Sequence, residues 1–167
     1  RDGEDAVDYG FVGDIDGVDA DVLRKQLDNG LMPVISPLSC DESGTLLNIN
    51  ADTVAAAIAA ELDAEKLILA TAAAGILEDI TDPRSLISYM DRAALKKLQA
   101  SGSLADGMLP KAAAIDAALA NGVQRVHVIS YKLADSLLLE VFTNEGTGTL
   151  VVDDIAALTP AEQGDGA

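Results

Sequence analysis

The sequence reads as an α/β fold with a mostly parallel sheet sandwiched by helices. Apolar runs of strand length alternate with Ala- and Leu-rich helical stretches along most of the 167 residues, which is the pattern of successive βα units. Hydrophobic residues make up 49% of the chain, yet only 3% are aromatic and Trp is absent. The core must therefore be aliphatic, with helices packed closely through Ala. The length suits a single domain spanning residues 1–167 with a substantial core, and no Gly/Ser-rich linker divides it.

Taken in order, Tyr9 to Asp14 reads as a short strand. A helix follows Val18, with Asp19 as its cap and Gly30 as its stop. Met32 to Ile35 reads as a buried strand ended by Pro37, and Thr45 to Asn48 as another short one. An Ala-rich helix from about Asp52 to Leu62 leads into a strand at Lys66 to Ala70. A long polar connection reaches Ser88, then a helix from Asp91 to Ala100. Pro110 opens the next helix and Gly122 closes it. Arg125 to Ile129 is a strand, Leu133 to Phe142 a helix and Thr149 to Asp153 a last strand, with a frayed tail after Thr159.

Charge and cysteine usage narrow the classes of partner. With 28 acidic and 11 basic residues the formal charge is −17. Such a surface repels phosphate backbones, so no nucleic-acid partner is expected. A nucleotide remains open, because backbone N–H groups and a metal ion hold phosphate locally. Cys40 is the only cysteine, which excludes an intrachain disulfide and a cysteine-based zinc site. The charged first residues give no expectation of a signal peptide, and no apolar run reaches membrane length. A cytoplasmic setting is expected.

The familiar nucleotide signatures, G-x-x-x-x-G-K-[ST] and G-x-G-x-x-G, are both missing. Three clusters carry the chemistry instead. In Asn48-Ile49-Asn50-Ala51-Asp52, alternation points Asn48, Asn50 and Asp52 the same way if the segment is extended. The amides suit a carboxylate and Asp52 suits an ammonium group, or Asp52 simply caps the following helix. In Asp106-Gly107-Met108-Leu109-Pro110-Lys111, Lys111 falls in the first turn of a helix. A cation is poorly placed there unless an anion binds beside it; otherwise Lys111 is a solvated side chain. The run Thr71-Ala72-Ala73-Ala74-Gly75 follows a strand and is either a tight turn or a small-residue floor for a nucleoside. The lone His127 lies within a strand and reads as a core or edge histidine; no metal-ligating set is expected.

In order and spacing these clusters resemble the acetylglutamate kinases of the amino acid kinase family. The resemblance runs from about Tyr9 to Val152, through Gly10 to Asp19, Met32 to Leu38, Asn48 to Asp52, Asp106 to Lys111, Gly122 to Ile129 and Leu137 to Gly148. It implies a three-layer, carbamate kinase-like architecture, of which this chain is the carboxy-terminal, ATP-binding half, the amino-terminal half being absent. The implied reaction is ATP-dependent phosphorylation of the side-chain carboxylate of N-acetyl-L-glutamate, with Mg²⁺, in arginine biosynthesis. Asp52 and Lys111 are the implied catalytic residues, and Asn48 and Asn50 bind the amino acid. Thr71, Gly75, Gly107, Met108 and Lys111 meet the nucleotide. His127, Glu140 and Gly146 fall where some members bind arginine as an effector, although Glu140 also reads as an exposed helical carboxylate. The chain carries Ala72 where the family usually has an acid. Alternatives are a non-catalytic nucleotide- or arginine-sensing domain, and an amino acid kinase with another acceptor. The complete protein is expected to be a homo-oligomer, with no membrane partner.

Overall fold

Lys66–Thr71 (β3) and Arg125–Ser130 (β5) form a parallel pair, each fed by an Ala-rich helix, Ala51–Glu61 (α2) and Leu109–Ala120 (α4). The structure is a computed structural model and describes residues 10–104, 106–143 and 146–157. The other elements are α1 (Ala20–Asp28), β1 (Leu38–Cys40), β2 (Leu46–Asn48), β4 (Tyr89–Asp91), α3 (Arg92–Ser101), α5 (Ser136–Phe142) and β6 (Thr149–Val152). The main sheet has the order β3-β5-β6-β4: β3–β5 and β4–β6 are parallel, while β5–β6 is antiparallel.

Helices cover both faces of this sheet, which is why β5 is buried along nearly its whole length. Val126 and Val128 on one face join a core with Ala112, Ile115 and Ala118 of α4 and Ala56 and Ala59 of α2. His127, pointing the other way, meets α5 through Glu140. Alanine at the helix contacts allows α2 and α4 to lie close together. Each precedes a parallel strand, so their amino termini lie at the end of the sheet where β3 and β5 finish, the usual ligand-binding edge of such a sheet.

Local chemistry accounts for the boundaries. Asp19 Oδ1 accepts from Val22 N at 3.2 Å and caps α1, and Asp91 Oδ1 accepts from Ala94 N at 2.7 Å and caps α3. Gly122 takes φ +98° just past α4, as a helix stop does. Arg92 at the start of α3 pairs with Asp116 of α4 and lies 3.4 Å from Asp153; Lys96 is 3.2 Å from Asp116. The bond to Asp116 holds the Arg92 guanidinium above its usual range. Burial alone would push Asp116 up, but its bonds to Arg92 and Lys96 bring it below the carboxylate range.

The structure departs from the sequence reading in several places. Met32 to Ile35 is not a buried strand: it forms no strand, and Met32 and Val34 are 88% and 95% exposed. Pro33 has no N–H to offer a ladder, and among the described residues no strand lies beside the segment. The strand expected at Tyr9 to Asp14 reduces to a bridge between Val12 and Asn48; Tyr9 lies outside the described residues. β1, which pairs antiparallel with β2, and β4, between the expected polar connection and the helix after it, were not anticipated. α5 starts at Ser136, after Asp135 at φ +59°, rather than at Leu133. The tail after Thr159 lies outside the described residues.

Candidate functional site

At the end of the sheet where β3 and β5 finish, the first turns of α2 and α4 face each other. Lys111 Nζ donates to Asp52 Oδ1 at 2.7 Å, and Lys111 is only 7% exposed. The solvated reading of Lys111 is therefore corrected: its ammonium is drawn into the protein and held by a carboxylate. Holding a lysine in the first turn opposes the helix dipole. The fold nevertheless places it there, on a helix whose cap residue, Met108, offers no side-chain hydrogen bond. The ammonium, at the positive end of the α4 dipole, makes a local positive site on an acidic protein.

The sequence left open whether Asp52 caps α2. The cap is Asn50: its Oδ1 accepts from Asp52 N at 2.9 Å and Thr53 N at 3.2 Å. Because α2 begins at Ala51, the extended alternation that aligned Asn48, Asn50 and Asp52 does not exist. Asn50 turns back onto the helix and Asp52 is freed to hold Lys111. Asn48 ends β2, exposed, with its backbone bonded to Phe11 O at 2.8 Å and Gly13 N at 3.0 Å.

Thr71 ends β3 opposite Ser130, and its carbonyl accepts from Tyr131 N at 3.0 Å. Gly75 has a packing reason of its own: a Cβ there would come within 2.6 Å of Thr149 Oγ1 and 2.7 Å of Leu86 Cδ1. Thr149, fully buried, accepts from Ile76 N at 2.8 Å and ties this loop to β6. Gly107, in the short 3-10 turn Asp106–Met108 before α4, has open space where a Cβ would be, so no neighbour in the fold demands a glycine there. Met108 is half-buried.

A cleft of about 490 Å³ lined by Arg24, Glu61, Asp63 and Asn121 lies at the other ends of α2 and α4. Helix carboxyl ends and acidic side chains make it unsuited to a phosphate. Anion chemistry belongs at the Lys111 end.

His127, Glu140 and Gly146 lie apart from that site, on the opposite face of the sheet. His127 Nδ1 donates to Glu140 Oε1 at 2.6 Å, and Glu140 Oε2 accepts from Thr147 N at 2.8 Å and Thr147 Oγ1 at 3.0 Å. Glu140 is thus buried rather than exposed, which corrects the helical-surface reading, and His127 Nε2 is buried with no hydrogen-bond partner. Gly146 has open space around it. Thr147 was missed in the sequence; a threonine between two glycines marks a tight approach but not its partner.

Burial pushes the Glu140 carboxyl up, but the hydrogen bonds from Thr147 and His127 outweigh it and hold the group below its usual 4.5. A carboxylate with a depressed folded pKa contributes stability above the unfolded value that is lost as pH falls through the folded one. Thermal melts should therefore show stability falling as pH drops below about 4.5. Glu140→Gln should lower the melting temperature at neutral pH and shallow this acid slope. An unchanged slope would remove Glu140 from the account.

Among the described residues no helix is long and apolar enough to cross a membrane. The profile of the amino acid kinase family matches residues 2–130. Among curated proteins, the chain is 44% identical to the acetylglutamate kinase of Thermosynechococcus vestitus over 97% of its own length and 54% of that protein. It is 48% identical to that of Caldanaerobacter subterraneus subsp. tengcongensis, covering 86% of this chain and 48% of that one. The chain thus spans about half the length of the curated relatives it matches. Among solved structures, N-acetylglutamate synthase from Neisseria gonorrhoeae, in complex with coenzyme A and L-arginine, superposes with a TM-score of 0.81 at 30% identity, over 90% of this chain and 34% of that one. Carbamate kinase from Giardia lamblia superposes with a TM-score of 0.65 at 21% identity, over 82% of this chain and 45% of that one, and shares the fold. With the family profile matched over most of its length, the chain belongs to the amino acid kinase family.

Proposed function

We propose that this chain is the ATP-side, carboxy-terminal half of an acetylglutamate kinase. It holds ATP phosphates against the first turn of α4, and within the complete protein the γ-phosphoryl passes to the side-chain carboxylate of N-acetyl-L-glutamate. The observation that carries this reading is Lys111, buried in an uncapped first turn and gripped by Asp52 at 2.7 Å. The curated relatives, named acetylglutamate kinases, support the choice of acceptor.

A carboxylate oxygen attacks the γ-phosphorus while its bond to the bridging oxygen of ADP breaks, giving an acyl phosphate and ADP. Such transfer is mostly positioning and charge neutralisation. Lys111 supplies positive charge to the phosphate oxygens, and Asp52 keeps the ammonium aimed there. Gly107 and Met108 present backbone next to the phosphates, while Thr71 and Gly75 border the nucleoside. Asn48, exposed at the end of β2, meets the amino acid. A divalent ion arriving with ATP supplies further neutralisation. Among the described residues no group of three or more His, Cys, Asp or Glu side chains gathers to cage such an ion, and the phosphates it arrives with would supply ligands of their own. The complete protein is read as a cytoplasmic homo-oligomer, and the apolar side chains left exposed at Met32, Val34, Leu138 and Phe142 support the association.

The test joins this chain to the amino-terminal half of an acetylglutamate kinase relative and measures ADP release. Release that depends on N-acetyl-L-glutamate, and not on carbamate or aspartate, is expected. Release driven equally by another acceptor would overturn the assignment of substrate.

A second reading is an arginine-sensing module. It is favoured by the His127–Glu140–Thr147 cluster beside the open Gly146, by Ala72 in place of an acid, and by the related synthase bound to L-arginine. Titration with L-arginine decides it: binding abolished by Glu140→Gln supports sensing, and absence of binding removes it.

A further inference from the structure

We infer that Asn50 is a positioning residue for Lys111 rather than a contact to the amino acid. The inference rests on the reading that Lys111 meets ATP phosphates.

Asn50 sits at the cap of α2 with an extended backbone, φ −61° and ψ 125°. Its side-chain oxygen takes two bonds from the first turn, from the N–H of Asp52 itself at 2.9 Å and from that of Thr53 at 3.2 Å. The residue before it, Ile49, is 5% exposed, and its N–H is fixed to Pro37 O at 3.0 Å. Ile49 and Val54 line the same apolar cleft, flanking the cap as a hydrophobic staple does. The turn that carries Asp52 is therefore fixed by one polar clamp and one apolar one.

The remaining link is Asp52 Oδ1 to Lys111 Nζ at 2.7 Å. A chain of bonds thus runs from the Asn50 amide through the backbone of Asp52 to its carboxylate and on to the ammonium. Lysine is a compact charge on a flexible four-carbon stem, so its aim depends on what grips its end. With the cap gone, the first turn of α2 frays, Asp52 moves with it, and Lys111 loses its anchor. Because the Asn50 oxygen is occupied by two N–H groups, it cannot turn toward a substrate without uncapping the helix, and the orientation of the amide is set by the cap.

The cap and the amide are separable by substitution. Serine caps a helix about as well as asparagine but has no amide. Glutamine keeps the amide one methylene further out, where it does not reach its own helix start. MgATP is titrated calorimetrically into the wild-type chain, Asn50→Ser, Asn50→Gln, Asn50→Ala and Lys111→Ala, each checked for folding by thermal melt. Positioning predicts near wild-type affinity for Asn50→Ser. It predicts binding about threefold to tenfold weaker for Asn50→Gln and Asn50→Ala, a smaller loss than Lys111→Ala because the ammonium remains. If Asn50→Ala fails to fold, the Ser and Gln pair alone decides. Affinity retained by Gln and lost by Ser overturns the inference, because the amide and not the helix cap would then set the MgATP affinity. Full affinity in every Asn50 variant alongside a weakened Lys111→Ala overturns it while leaving the ATP reading standing. Full affinity in Lys111→Ala as well brings both down.

Discussion

Asp52→Asn, made in the chain completed with a relative's amino-terminal half, is expected to abolish acetylglutamate-dependent ADP release while leaving the fold intact. The substitution preserves shape and the backbone N–H that Asn50 caps. It removes the charge that grips Lys111 at 2.7 Å. Charge-assisted bonds are shorter and about twice as strong as neutral ones, and they fix geometry as well as energy. Phosphoryl transfer depends on placing that charge at the phosphates, so loss of aim should appear in turnover before it appears in stability. Unchanged turnover with an unchanged melt would remove Asp52 from the chemistry. A collapse of the melting temperature would make it a structural ion pair.

The second large effect concerns the sheet. Gly148→Ala is expected to abolish stable folding, read as loss of the cooperative melt. Gly148 lies just before β6, where the backbone runs against β5, and a Cβ there would overlap the Val128 carbonyl oxygen. The obstacle is backbone at the centre of the sheet, flanked by the fully buried Val128 and Thr149, with no flexible side-chain end to move aside. Overpacking in a tight core costs about 1 to 3 kcal/mol even where neighbours adjust. Here adjustment means separating β5 from β6, the antiparallel junction that unites the two parallel pairs. Gly107→Ala, with open space at the corresponding position, serves as the control and should melt normally. A normal melt for Gly148→Ala would contradict the packing described for this junction.

Much of this architecture was legible in residue order. Asp19, Asp91 and Gly122 announce helix ends by chemistry confined to a few residues, and the caps and stops form where that chemistry places them. The runs from Lys66 to Ala70 and from Arg125 to Ile129 read as strands because buried parallel strands are continuous apolar stretches, and each strand extends one residue further. What failed was what depends on neighbours. Met32 to Ile35 has the composition of a buried strand, yet burial requires something to be buried against. β1 and β4 are three residues each, too short for periodicity to register. In the site, a helix starting at Ala51 exchanges the roles of Asn50 and Asp52, making one the cap and the other the grip on Lys111. His127 and Glu140 each look ordinary in isolation; only the packing of α5 on β5 joins them.

The measurement closest to the central claim is a calorimetric titration of this chain and its Lys111→Ala variant with MgATP. The account predicts weak, saturable binding by the wild-type chain and at least about a tenfold loss in the variant, since a hydrogen bond to a charged group contributes about 1.5 to 3 kcal/mol. Equal affinity in the two proteins, or no binding by the wild-type chain, would contradict a phosphate site at the start of α4.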